Sequence, residues 1–292
     1  MSARRQRQMC IRDRYKSMLL SAKSSEFLRW AEEKERNIPQ NINEILVDIH
    51  DINNVKMTEI SKIKETIRTY NSCIYQSNKS LESNSNLLKF SKSVGMQTYD
   101  RKNIHQNEIS TITSIEKENA SYIPYTNKPL NWHTDGYYDN KPIFSWLLHC
   151  VNPASEGGEN YLLDHELVFR EYVLRNDDIS NLMSEDALTV PESKDTSRSE
   201  ISTYIFSHNN KYKKLHMRFS MRKENIETSI KASLAIEKLK KIIECDCAKH
   251  SLTHKLCKNQ GIVTNNILHG RTSFKDDKVK RELLRIRSYE RL

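Results

Sequence analysis

The chain has 292 residues, 37% of them hydrophobic, which is enough for one large domain or two small ones with a sizeable buried core. Much of its formal net charge of +9 sits in the first fourteen residues; the remaining basic residues are scattered among acidic ones with no basic stripe interleaved with aromatics, which argues against nucleic acid as a partner, and no apolar run approaches the roughly 18 residues that span a bilayer. Six cysteines, Cys10, Cys73, Cys150, Cys245, Cys247 and Cys257, are too sparse for a disulfide framework, so a reduced cytoplasm is the expected compartment.

Residues 1–14 hold five arginines and one aspartate, lack the apolar stretch of a signal peptide, and are expected to be a disordered or artefactual basic tail. Residues 15–121 are expected to form a mostly helical lead-in. Within it, 15–36 predicts a helix with Leu19, Leu20, Phe27, Leu28 and Trp30 as a broken apolar face. A second helix is predicted over 56–75 from Met57, Ile60, Ile63, Ile67 and Tyr70, and a short third one ends at Gly95. The polar tract 77–86 between them predicts a surface loop.

The texture changes near residue 122, where prolines and aromatics predict extended chain and loops. "IFSWLLHCV" (143–151) reads as a buried strand, with His149 and Cys150 in the core; "SEGGEN" reads as a turn and "YLLD" as another short strand. Residues 165–187 suit helices. Residues 201–222 predict a hairpin with Asn209 and Asn210 near its turn. Residues 226–244 predict an amphipathic helix with Ile226, Ile230, Leu234, Ile236, Leu239, Ile242 and Ile243 on its apolar face. "KNQGIVTNNILHG" reads as turn then strand, and "KRELLRIRSY" as a last strand or a short helix. The expected plan is a helical lead-in followed by a core of short strands (122–292) with a large helical insertion, one structural domain overall.

Chemistry enters with "NWHTDG". His133 and Asp135 stand two positions apart, and on a strand that spacing points both to one side. With a distant third ligand they make a facial two-histidine, one-carboxylate set, whose open positions suit non-haem Fe(II) and oxygen. His-x-Asp alone is a weak signal. The remote "NNILHGRTSF" adds His269, and Arg281 follows twelve residues later. An arginine is the right partner for the far carboxylate of a dicarboxylate that chelates the metal with its other end.

Taken together, "WHTDG", "LLHC", "GGEN", "LLD", "NNILHGRTSF" and the following arginine resemble the taurine dioxygenase family of Fe(II)- and 2-oxoglutarate-dependent oxygenases, nearest the branch of γ-butyrobetaine and trimethyllysine hydroxylases. The resemblance covers about residues 122–290. It implies a double-stranded β-helix (jelly roll) core in an α+β, mainly β, chain. It also implies Fe(II), 2-oxoglutarate and O2 as cofactor and co-substrates, with succinate and carbon dioxide as co-products of the oxidation, by hydroxylation, of an unactivated C–H bond. By the same resemblance His133, Asp135 and His269 are the iron ligands. Arg281 pairs with the distal carboxylate of 2-oxoglutarate, Asn160 lies near that co-substrate, and Arg285 falls where relatives contact substrate or co-substrate. Asp135 marks a hydroxylase-type member, since halogenating relatives lack this carboxylate.

The substrate is expected to be a small molecule. Tyr137, Tyr138, Arg218 and Arg222 are its candidate contacts. The two arginines disfavour a trimethylammonium group and point to an anionic or zwitterionic metabolite. A homo-oligomer is left open. Two alternatives accompany this expectation: a non-catalytic binding or regulatory protein on the same fold, and a zinc-binding module built from Cys245, Cys247, His250, His254 and Cys257.

Overall fold

Helix boundaries follow local chemistry. The structure, a computed structural model, describes residues 24–101, 107–114, 123–175, 179–192, 199–209, 211–212, 214–222 and 226–292. The basic tail 1–14, and Leu19 and Leu20, lie outside the described residues. The helices are α1 (Ser25–Arg36), α2 (Met57–Tyr70), α3 (Asn84–Val94), α4 (His165–Arg175) and α5 (Ile230–Lys241). Ser24, Ser83 and Ser229 cap α1, α3 and α5 by accepting backbone N–H bonds from the first turn. Asn71 ends α2 in the left-handed region at φ 59°, and Gly95 ends α3 at φ 124°.

The strands are β1 (Leu46–Ile49), β2 (Ser72–Ser77), β3 (Ile109–Thr113), β4 (Leu130–His133), β5 (Ser145–Asn152), β6 (Glu156–Gly157), β7 (Asn160–Leu163), β8 (Leu188–Val190), β9 (Ile201–Thr203), β10 (Phe206–Asn209), β11 (Lys214–Met217), β12 (Leu252–His254), β13 (Gln260–Thr264), β14 (Leu268–Arg271), β15 (Phe274–Lys275) and β16 (Glu282–Ser288). The chain is therefore mixed α and β, with most of its regular structure around sheets. Among the described residues no helix is long and apolar enough to cross a membrane.

The chain gathers into two compact units, one from residues up to Ile38 with His165–His250, the other from Pro39–Asp164 with Ser251–Leu292. The second, the sheet unit, contains a six-stranded sheet in the order β1-β2-β13-β5-β16-β3 and a four-stranded sheet in the order β12-β7-β14-β4. Alternation along the strands gives the large sheet two apolar faces. One packs Tyr75, Leu147, Val263, Leu284 and Ile286 against Ile60, Ile63 and Ile67 of α2 and Leu87, Phe90 and Val94 of α3. The other packs Ile74, Ile112, Trp146, Leu148, Ile262 and Leu283 against Leu162 of the small sheet and Leu256. Each fully buried side chain of this size contributes on the order of 1.5–3 kcal/mol.

In the helical unit, α1, α4 and α5 accompany two antiparallel pairs, β8 with β9 and β10 with β11. Phe27, Trp30, Phe169 and Phe206 form its aromatic centre, with Phe169 edge-on to both Trp30 and Phe206. Arg170 donates to the Ala31 carbonyl, and Lys34 pairs with Glu166 at 2.7 Å.

Several expectations change. The helix predicted over 56–75 stops at Tyr70, because Asn71 reverses the backbone, and "SCIYQS" becomes β2 inside the large sheet. The lead-in thus supplies strands as well as helices. The hairpin predicted over 201–222 is narrower: β10 and β11 pair with each other, while Ile201–Thr203 pairs with β8. On α5 the buried face is Ala232, Ala235, Ile236 and Leu239, whereas Ile230 and Leu234 face solvent. Small residues permit close approach where the periodicity alone selects the larger ones. Strand β16, left between strand and short helix by the sequence, runs between β5 and β3 and pairs with both.

Candidate active site

His133 is the last residue of β4, and His269 lies opposite it on β14 in antiparallel register, their rings 4.2 Å apart between centroids. Asp135 is not on the strand. It sits in the turn that follows, and Asn266 brings it back toward the histidines. Asn266 accepts from the Asp135 backbone N–H at 2.8 Å and donates through Nδ2 to the Asp135 carbonyl at 2.9 Å and the Ile143 carbonyl at 2.7 Å. Asn266 itself is left-handed at φ 51°, a conformation asparagine tolerates better than most residues. Gly136 completes the turn at φ 66°; a Cβ there would lie 2.5 Å from Ile143 Cγ1. Across β14, Gly270 leaves the space that the Tyr161 ring fills.

The imidazoles are set by their own strands. Nδ1 of His133 lies 2.9 Å from the Asn131 carbonyl, and Nδ1 of His269 lies 2.9 Å from the Ile267 carbonyl. A carbonyl only accepts, so both Nδ1 atoms carry protons and both Nε2 atoms present lone pairs. Those Nε2 atoms lie 3.7 and 3.8 Å from Asp135 Oδ1. The three donor atoms all lie within 4.8 Å of one another, against about 3 Å for adjacent ligands of a six-coordinate metal at about 2.1 Å. Burial lowers the pKa of His133, and it takes His269 down to about 3, so both rings stay neutral at ordinary pH. Burial alone would raise the Asp135 pKa, but Arg285, then Arg287 and the two histidines, hold it well below the usual carboxylate range.

A cavity of about 530 Å³, its open mouth included, opens onto this cluster. Its wall brings together His133, Asp135, His269, Asn160, Arg281 and Arg285, six residues singled out from the sequence. Period-two alternation places Arg281, Leu283 and Arg285 together on the cavity side of β16 and the residue before it. Arg281 is 4% exposed, stacks over the Phe274 ring at 5.0 Å, and donates no side-chain hydrogen bond among the described residues; burial lowers its pKa to about 10. Asn160 Nδ2 and Trp146 Nε1 are further buried donors with no hydrogen-bond partner among the described residues.

The other candidates lie elsewhere. Tyr137 and Tyr138 pack edge to face and are not in the cavity wall; Tyr138 accepts from Arg287 Nη1 at 3.2 Å. Arg218 and Arg222 belong to the helical unit, where Arg218 is buried and donates to Thr203 Oγ1 at 3.1 Å. The zinc alternative is not supported: among the described residues, His133, Asp135 and His269 are the one group of three such side chains within ligand reach of each other. Cys247 is buried, Cys245 and Cys257 are exposed, and His254 is engaged with Gln260 Oε1 at 2.8 Å.

Sequence reasoning missed Asn266, Trp146 and Arg271. Trp146 packs on the His269 ring, with centroids 4.5 Å apart. Arg271 spends its guanidinium on the carbonyls of Thr126 and Lys128, at 2.8 and 2.6 Å, and so pins the segment before β4 to the cavity. Asn266 and Arg271 lie inside the "NNILHGR" motif, and that adjacency was the available signal.

The chain is similar to several known proteins. A curated relative, a uridine-5'-phosphate dioxygenase from a Streptomyces species, is 31% identical over 81 residues, covering 27% of this chain. The match spans 30% of that relative's own length. Among solved structures, a taurine dioxygenase from Burkholderia xenovorans superposes with a TM-score of 0.57 at 16% identity, covering 84% of this chain and 87% of that one. An asparagine oxygenase, solved with Fe(II), 3-hydroxyasparagine and succinate, superposes with a TM-score of 0.58 at 11% identity, covering 92% of each chain. At such identities these likenesses establish a shared fold. The sequence pattern of the taurine catabolism dioxygenase TauD, TfdA family matches residues 36–287, and the chain belongs to that family of 2-oxoglutarate-dependent non-haem iron dioxygenases.

Proposed function

We propose that His133, Asp135 and His269 hold Fe(II), and that the chain hydroxylates an unactivated C–H bond of a small metabolite, consuming 2-oxoglutarate and O2 and releasing succinate and carbon dioxide. The observation that carries this is the convergence, on one cavity, of three metal-donor atoms and a buried guanidinium, that of Arg281, with no hydrogen-bond acceptor among the described residues. The donor set fits the metal: two neutral imidazole nitrogens and one carboxylate oxygen are the ligand types of a facial iron site. The charge fits the co-substrate. Three guanidiniums and a single carboxylate line the cavity, a cation excess suited to a dianion. The two sheets facing each other across that cavity are the core we assign as a jelly roll, and a cytoplasmic location goes with the reduced cysteines.

When bound, the iron supplies the oxygen activation and redox chemistry, and the chain supplies the rest. The backbone carbonyls of Asn131 and Ile267 keep the Nδ1 protons in place, so both Nε2 atoms stay available. Arg281 receives the distal carboxylate of 2-oxoglutarate, with Asn160 Nδ2 as a second donor. Trp146, Leu148, Ile112 and Leu283 make the cavity floor apolar and keep water from the reacting end.

The test is anaerobic purification with iron, followed by a screen of 2-oxoglutarate turnover against amino acids, betaines, sulfonates and nucleotides. Substrate-dependent succinate formation is expected, with His269→Ala reducing it to background. Full turnover by His269→Ala would refute the assignment, and oxygen-independent binding without succinate would favour a regulatory protein on the same fold.

A further inference from the structure

We propose that Arg285 is a positioning residue for the metal: it holds Oδ2 of Asp135, so the carboxylate presents Oδ1 alone to the metal position. The proposal rests on the assignment of His133, Asp135 and His269 as the metal ligands.

The two carboxylate oxygens have different surroundings. Oδ1 faces both histidine Nε2 atoms, at 3.7 and 3.8 Å. Oδ2 faces Arg285 Nη1, at 3.4 Å. Oδ2 accepts no hydrogen bond among the described residues, so the ion pair with Arg285 is what holds it. Both partners are buried, Arg285 at 9% exposure and Asp135 at 6%, so the attraction acts in a medium that screens it weakly.

The backbone that carries the carboxylate is fixed as well. Asn266 grips the Asp135 backbone on its N–H and its carbonyl. Arg287, two residues along the same strand face, donates to Tyr138 Oη in the same turn and to Asp100. Arg285 and Arg287 thus anchor the turn 135–138 at both ends to β16.

The consequence concerns coordination number. Three protein donor atoms leave three of six octahedral positions open. A carboxylate gripping with both oxygens would occupy one of those, and a chelating keto acid would then fill the other two and leave no position for oxygen. Of the cavity arginines, Arg271 donates to backbone carbonyls and Arg285 faces Asp135 through Nη1, while Arg281 donates no side-chain hydrogen bond among the described residues.

Co(II) serves as the probe, because its visible absorption reports coordination number without turnover. Wild type, Arg285→Gln, Arg285→Lys and His269→Ala are titrated with Co(II), then the Co(II)-saturated proteins are titrated with 2-oxoglutarate. Arg285→Gln is expected to weaken Co(II) binding about 10- to 100-fold, the usual effect of losing a partner that orients a ligand. Its Co(II) spectrum should change as well, because the released carboxylate is free to offer its second oxygen. Arg285→Lys, which keeps the charge and guards against a folding failure, should recover part of the metal affinity. Unchanged Co(II) binding in Arg285→Gln, with or without a tenfold loss of 2-oxoglutarate, overturns the proposal. If His269→Ala binds Co(II) as well as wild type, the metal-ligand assignment fails first and the proposal falls with it.

Discussion

Replacing Arg281 by methionine should stabilise the apoprotein and disable it as a receptor for 2-oxoglutarate. Arg281 is 4% exposed and donates no side-chain hydrogen bond among the described residues. Burial takes its pKa from the ordinary 12.5 to about 10, which sets about 3 kcal/mol against the charged form. A folded-state pKa below the unfolded one on a base means that this cost is present at every pH below about 10. Methionine keeps the apolar stem over the Phe274 ring and removes the charge, so a gain of about 1–3 kcal/mol is expected, less whatever packing is lost. A carboxylate would lose two charge-assisted bonds of about 1.5–3 kcal/mol each, raising the 2-oxoglutarate dissociation constant at least about 100-fold. Urea unfolding of the apoprotein and anaerobic 2-oxoglutarate titration of the Mn(II)-loaded protein measure the two effects. Near-wild-type 2-oxoglutarate affinity, or apoprotein destabilised by more than about 1 kcal/mol, would show that Arg281 has a structural partner instead.

Three other outcomes are expected. His149 is buried beside Tyr75, with Nδ1 2.9 Å from Oη, and burial lowers its pKa to about 4. The unfolded chain therefore binds the extra proton between about 6.5 and 4, and stability should decline by up to about 3 kcal/mol as pH falls through that window; urea midpoints for wild type and His149→Gln across pH 4–7 check it, and an equal decline in both would count against it. Gly270→Ala should cost at least about 2 kcal/mol because its Cβ would enter the Tyr161 ring, with partial rescue in the Gly270→Ala, Tyr161→Ala double variant on thermal denaturation. Asn266→Ala removes three hydrogen bonds to backbone groups around Asp135 and should weaken Co(II) binding by about tenfold or more, measured by the same titration.

Much of the site is legible in the sequence because its parts are short and chemically distinctive. His133 and Asp135 are two positions apart, and "NNILHGR" brings His269, Asn266 and Arg271 within six residues. Even so, strand alternation is not what joins Asp135 to the histidines; a turn held by Asn266 does that. The motif order points Arg285 toward the co-substrate, and the fold places it in the cavity wall with Nη1 3.4 Å from Asp135 Oδ2. Tyr137 and Tyr138 attract attention because they follow the motif, but packing turns them to each other and to Arg287.

By itself, the sequence determined what acts over a few residues. Serine caps, the left-handed Asn71 and Gly95 stops, the apolar strand "SWLLHCV" and the i−2 carbonyls that orient both imidazoles all follow from neighbouring backbone and side-chain chemistry. Tertiary structure decided what depends on partners far along the chain. It made 72–77 a strand between β1 and β13, chose the small-residue face of α5 for burial, and set His269 opposite His133. Those outcomes are selected by which surfaces meet when segments far apart in the chain come together, and local propensities of a few tenths of a kcal/mol are overruled there by the several kcal/mol of buried contact.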